Sequence, residues 1–295
     1  MGQELLIELI SDCNLKCKMC AFKQGFSHES MSEEMICDLF HQINIINQKS
    51  KLYNFTDLRM DGNSEPLLYK DPGFVMNLAM QAGIQYINIT TNGVLLNYEM
   101  TDRLMDTSLT TLDISMTGII PEIYSEFQGY GLKADKCKEQ ITRIKENVQY
   151  FIKQKIRWKK NITLTMRYII TPMTKPHFGE YIDYFRSIRA DAVMGMTLTN
   201  TGLRGKCHPY EEIVGRKRCE SPEHPVICAN GDVLMAFCPY DIPILGNMIE
   251  RPLSDILMAP QTEKWLTSIR KIIVEDMPIN CKSCHNTHIY KGGKW

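Results

Sequence analysis

Between residue 4 and about residue 200 the chain alternates short apolar runs with longer stretches whose apolar residues recur every three or four positions. The short runs read as buried strands and the longer stretches as amphipathic helices, so the alternation predicts βα units around a parallel sheet. Strands are expected over 5–10, 58–60, 86–90, 111–115, 163–169 and 192–198, with helices over 32–47, 72–82, 98–106, 136–154 and 178–186. Turn chemistry agrees: Ala82-Gly83 closes a helix, Thr91-Asn92-Gly93 follows a strand and Thr171-Pro172 stops another. Six strands are too few for a closed eight-fold barrel.

From about Gly202 the pattern changes. Pro, Cys and Gly become frequent, and 226–234 reads as a hairpin about a two-residue Asn230-Gly231 turn. A domain boundary is therefore expected there, dividing the chain into 1–201 and 202–295.

Composition narrows the function classes. In 295 residues, 34 basic and 34 acidic side chains cancel, so nothing points to nucleic acid or a charged membrane surface as partner. No run approaches the roughly 20 apolar residues of a membrane span, and the N-terminus lacks the order of a signal peptide. The default expectation is cytoplasmic. In that compartment eleven cysteines point to metal or redox work rather than to disulfides.

Three of them, Cys13, Cys17 and Cys20, form a C-x3-C-x2-C loop directly after the first strand. Three thiolates on one tight loop can hold three irons of a [4Fe–4S] cube and leave the fourth open to a small chelating molecule. A zinc knuckle is the alternative; it wants a fourth Cys or His nearby, and the nearest is His28.

The loop resembles the signature of the radical S-adenosylmethionine (SAM) superfamily. That resemblance implies a partial (βα)6 barrel, an α/β fold, with the cysteine loop at the C-terminal ends of the strands. It implies that the open iron binds SAM, which is cleaved to a 5′-deoxyadenosyl radical that abstracts substrate hydrogen. A flavodoxin- or ferredoxin-type protein would supply the electron. Met19 stands where the family usually has an aromatic residue, and Phe22 is expected to take over part of the packing near the adenine.

Further SAM contacts follow from the same resemblance. Asp61-Gly62-Asn63-Ser64-Glu65-Pro66 is similar to the family's G-x-G-E-P segment, with Ser64 in place of the second glycine and Glu65 as the acid that takes the SAM ammonium. Gly62 and Ser64 belong to that turn. Thr91, Asn92 and Ser115, at the ends of the third and fourth strands, match ribose and methionine contacts. Arg167 stands among apolar neighbours in the fifth strand, where a charge needs a partner; a SAM carboxylate would satisfy it.

A second cysteine set lies in the appended region: Cys207, Cys219, Cys228, Cys238, Cys281 and Cys284. Cys219, Cys238, Cys281 and Cys284 make a four-ligand set that resembles the twitch form of the SPASM extension, which carries a fully ligated auxiliary [4Fe–4S] cluster. A Cys₄ zinc site is the alternative. Cys207 and Cys228 are left as candidate hydrogen donors or structural cysteines.

An auxiliary cluster near a radical site is a one-electron acceptor, so the expected reaction is oxidation, or epimerisation, of a carbinol carbon. Over most of its length the chain resembles the compact twitch enzymes of sugars and aminocyclitols, the group of the butirosin-pathway aminocyclitol dehydrogenase. Modification of a ribosomal peptide is the rival expectation, lowered by the early position of Cys13, and a non-catalytic metal-stabilised scaffold or electron carrier the alternative of another class.

Overall fold

The computed structural model describes residues 2–20, 27–62, 64–197, 224–235 and 244–271. Strands β1 (Gln3–Ile7), β2 (Phe55–Met60), β3 (Tyr86–Thr91), β4 (Thr111–Ser115), β5 (Thr163–Ile170) and β6 (Ala192–Thr197) lie side by side in chain order, all parallel. Helices α1 (Glu33–Lys49), α2 (Pro72–Gln81), α3 (Tyr98–Met105), α4 (Pro121–Glu126), α5 (Ala134–Arg157) and α6 (Phe178–Ser187) connect them. The expected α/β fold with six βα-type strands is present.

Alternation within each strand explains the layering. Leu5, Ile7, Leu58, Met60, Ile87, Ile89, Leu112, Ile114, Leu164 and Met166 are buried in one core with α1 residues Ile36, Leu39, Phe40 and Ile43. Each such side chain contributes about 1.5–3 kcal/mol by leaving water. Helix starts are sealed by side-chain caps: Ser32, Asp71 and Asn97 accept the N–H groups of Met35, Phe74 and Met100.

Three boundaries differ from expectation. β1 leaves the sheet at Ile7, because Ile10 pairs instead with Ser30 in an antiparallel bridge. α5 is one 24-residue helix, longer than the stretch expected at 136–154. α4 was not anticipated; six residues starting on Pro121 are too few to show a helical period.

Strands β7 (Val226–Ile227), β8 (Asp232–Leu234) and β9 (Gly246–Asn247) extend the sheet beyond β1, with β7 parallel to β1 and the hairpin antiparallel. The hairpin forms where expected, but its turn is different. Gly231 N–H donates to the Cys228 carbonyl at 2.9 Å, and Gly231 has φ +88°. The loop is thus a three-residue connection with glycine in the left-handed position, because Asn230 spends its side chain on Asp232, accepting its N–H at 3.1 Å. Two helices, α7 (Leu253–Leu257) and α8 (Pro260–Lys271), follow, and the Leu253 N–H donates to Gln42 Oε1 of α1. The boundary expected near Gly202 lies outside the described residues. Among the described residues no helix is long and apolar enough to cross a membrane.

Candidate active site

The loop of Cys13, Cys17 and Cys20 leaves the C-terminal end of β1, and three neighbouring elements fasten it. The Glu65 N–H, beyond β2, donates to the Asp12 carbonyl at 2.9 Å. Asn92, beyond β3, donates from Nδ2 to Asn14 Oδ1 at 2.7 Å. The Lys18 N–H reaches the Phe127 carbonyl, beyond α4, at 2.8 Å. Within the loop the Cys20 N–H closes on the Cys17 carbonyl at 3.1 Å, and Leu15 is buried. Three half-buried thiols are thereby held on one short turn at a sheet edge.

His28, the nearest candidate for a fourth zinc ligand, points Nδ1 at Asp12 Oδ2, 3.0 Å away, while Asp12 Oδ1 takes the Cys13 N–H at 2.7 Å. Among the described residues no three Cys, His, Asp or Glu side chains converge as one ion requires. A cube takes each thiolate on a different iron, so the three cysteines fit a [4Fe–4S] cluster as a donor set. In the metal-free chain burial pushes the Cys13 thiol up to about 11; cluster assembly therefore has to displace its proton.

Glu65 lies 1% exposed between the ends of β2 and β3. It accepts the Thr91 hydroxyl at 2.6 Å, the Asn92 N–H at 2.8 Å and the Leu67 N–H at 3.1 Å. Burial pushes its carboxyl up to about 7, against the lowering effect of those three donors. Such a carboxylate is well placed to gain from a cation. Gly62 has φ +142°, which a side chain would strain, and Ser64 follows in the same turn.

The two sides of the sheet differ sharply. Residues on the face opposite the apolar core include Glu4, Asp57, Arg59, Asn88, Thr90, Asp113, Ser115, Thr165 and Arg167, matched across strands by register. Arg59 binds Asp61 at 3.0 Å and Glu4 at 3.6 Å. Arg167 is ion-paired to Asp113, whose Oδ2 also accepts Asn88 Nδ2 at 2.9 Å. The chain thus supplies Arg167 with one partner, Asp113, while its Nε is buried without one. Asp113 was missed, although an acid inside the apolar run 111–115 carries the same signal as Arg167.

Cys228, at the end of β7, donates its N–H to the Asp232 carbonyl, and burial followed by nearby Glu8 pushes its thiol up to about 12. Phe22, Cys207, Cys219, Cys238, Cys281 and Cys284 lie outside the described residues.

A family model described as the radical SAM superfamily matches residues 7–184, spanning the cysteine loop, Glu65, Asn92 and Arg167. The chain belongs to the radical SAM superfamily. It is an enzyme of that family, which carries a SAM-binding [4Fe–4S] cluster. Among curated relatives it is 24% identical over 201 residues to a probable GTP 3′,8-cyclase of Sulfolobus acidocaldarius, covering 68% of this chain and 58% of the relative. It is 29% identical over 129 residues to a probable GTP 3′,8-cyclase of Methanocaldococcus jannaschii, covering 44% and 41%. The match thus spans between two fifths and three fifths of those relatives. Among solved structures it resembles BtrN in complex with AdoMet and 2-DOIA (TM-score 0.60, 15% identity, 97% and 93% covered). It also resembles native anSMEcpe with bound AdoMet and Cp18Cys peptide (TM-score 0.65, 17% identity, 97% and 86% covered). At such identities these structures show the fold of this radical SAM enzyme.

Proposed function

We propose that this radical SAM enzyme oxidises, or epimerises, a carbinol carbon of a sugar or aminocyclitol. The observation that carries the reading is the polar face of the sheet. An apolar substrate would leave the carboxylates and guanidiniums of that face without replacements for water, whereas a polyol offers a hydroxyl to each. Among the described residues the carboxylates of Glu4, Asp57, Asp61 and Asp113 outnumber Arg59 and Arg167 on that side. That balance disfavours a nucleoside triphosphate, the substrate named for the curated relatives, and suits a neutral or amine-bearing molecule.

Cys13, Cys17 and Cys20 would hold the first cluster, and Glu65 the ammonium of SAM, with Thr91, Asn92 and Leu67 orienting its carboxylate. When bound, that pair supplies a 5′-deoxyadenosyl radical able to take a carbon-bound hydrogen. Asp113 holds Arg167 in place across the sheet, and Ser115 offers a hydroxyl at the same edge. Cys219, Cys238, Cys281 and Cys284 would hold an auxiliary cluster that takes up the electron left by oxidation; their spacing and resemblance to the twitch extension support this. Cys228, half-buried at the end of β7 beside β1 and outside the four-cysteine set, is one candidate hydrogen donor, and Cys207 is the second. A flavodoxin- or ferredoxin-type reductant in the cytoplasm completes the reading.

Modification of a ribosomal peptide is the second reading, favoured by the likeness to anSMEcpe with Cp18Cys peptide. Carbon-deuterated sugars, aminocyclitols and peptides, incubated anaerobically with reductant and SAM, separate the two. Deuterium in 5′-deoxyadenosine from a polyol supports the proposal; transfer from peptides alone overturns it.

A further inference from the structure

Asn92 matches a family position expected to contact SAM, yet its side chain is already committed to the protein at both ends. It is 8% exposed. Oδ1 accepts the Val94 N–H at 3.0 Å, which fixes the amide's orientation, because the atom facing an N–H has to be the oxygen. Nδ2 is thereby turned toward the cysteine loop. One of its hydrogens goes to Asn14 Oδ1 at 2.7 Å, and the Cys13 sulfur lies 3.9 Å away, within reach of an N–H···S bond. The Leu15 N–H approaches the same sulfur at 3.5 Å, so Cys13 is flanked by two donors. The Asn92 backbone N–H meanwhile binds Glu65 Oε2 at 2.8 Å. One residue therefore ties together the cysteine loop, the buried acid and the end of β3.

We infer that Asn92 is a positioning residue for the SAM-binding cluster, whose amide steadies the Cys13 sulfur and raises the cluster's reduction potential. The physical basis is simple. Reduction adds negative charge that is shared with the ligating sulfurs, and an N–H donor to a sulfur stabilises the more negative state. Losing the donor therefore makes the cluster harder to reduce. The inference rests on Cys13 being a cluster ligand.

The test is an anaerobic redox titration of the full-length protein without SAM, followed by electron paramagnetic resonance of the signal that changes when SAM is added. Asn92→Ala is expected to keep its iron and shift that midpoint to more negative potential. The reduced-to-oxidised ratio at the wild-type midpoint should fall three- to tenfold; tenfold is about 59 mV for one electron. Asn92→Asp, which keeps the shape but replaces the donor by a negative oxygen, should shift it further in the same direction. It also supplies the measurement if Asn92→Ala loses its cluster. Asn14→Ala leaves Nδ2 facing the sulfur and should move the midpoint little. An unchanged midpoint in both Asn92 variants overturns the assignment, as does an equal shift in Asn14→Ala, which would make loop position the cause. A wild-type protein with no SAM-responsive iron–sulfur signal would instead defeat the cluster reading itself.

Discussion

Asp113 of β4 and Arg167 of β5 form an ion pair on the polar face of the sheet, one strand apart and both largely withdrawn from water. Neither charge would be stable there alone, since a buried ion without a partner costs several kcal/mol. The pair crosses the sheet close to the strand edge that carries the cysteine loop.

Breaking this pair is expected to be costly. Asp113→Ala should destabilise the protein by about 3–5 kcal/mol, the range for stranding one member of a buried pair. The double replacement Asp113→Leu with Arg167→Met should cost much less, since no charge is stranded. Urea unfolding of the three proteins measures both. Equal losses in the single and double variants would mean the charges do not depend on each other.

Glu65 leads to two expectations. Glu65→Gln retains the shape and removes the charge, so SAM should bind more weakly by about 1.5–3 kcal/mol, read by calorimetry on anaerobic protein. An unaltered affinity would place the SAM ammonium on another acid.

The pH dependence has a definite sign. Glu65 is raised by burial to about 7, so near neutral pH its ionised form is incompletely populated. A cation binds only that form, so SAM affinity should rise as pH increases toward about 7 and level off above it, in the wild type but not in Glu65→Gln. For folding the sign is opposite. A carboxyl raised above its unfolded value favours the native state at low pH, and that contribution is lost as pH rises through about 7. The wild-type-minus-Glu65→Gln difference in unfolding free energy of the metal-free chain should therefore decline over that window.

Replacing Cys13, Cys17 and Cys20 together by Ala should abolish 5′-deoxyadenosine formation while leaving about four irons per chain, given one cube on the other set. Continued SAM cleavage in this variant would sink the assignment of the loop.

Removing one of Cys219, Cys238, Cys281 or Cys284 should harm product formation more than SAM cleavage, so 5′-deoxyadenosine accumulates without matching product. Cys207→Ala and Cys228→Ala are the matched comparisons. If either of these stops product formation without loss of iron, the reaction is a redox-neutral epimerisation and that cysteine the hydrogen donor.

Much was legible in the residues taken in order. The βα alternation, the hairpin at 226–234 and the cysteine spacing are local, set by the pleat of a strand, the turn of a helix and the reach of three thiols on one loop. Glu65 was singled out by the resemblance of residues 62–66 to a family segment; its burial and its three donors came only with the fold. What lay hidden is whatever depends on neighbours distant along the chain. Asp113 and Arg167 are separated by 54 positions, and only the parallel register of β4 with β5 turns two isolated buried charges into a pair. Asn92 read, by resemblance, as a SAM contact at a strand end; the packing of β3's end against the cysteine loop turns its amide toward Cys13 and Asn14. The polar face as a whole emerges in the same way, since a strand's alternation shows that one side is polar but not that five strands align those sides into one surface.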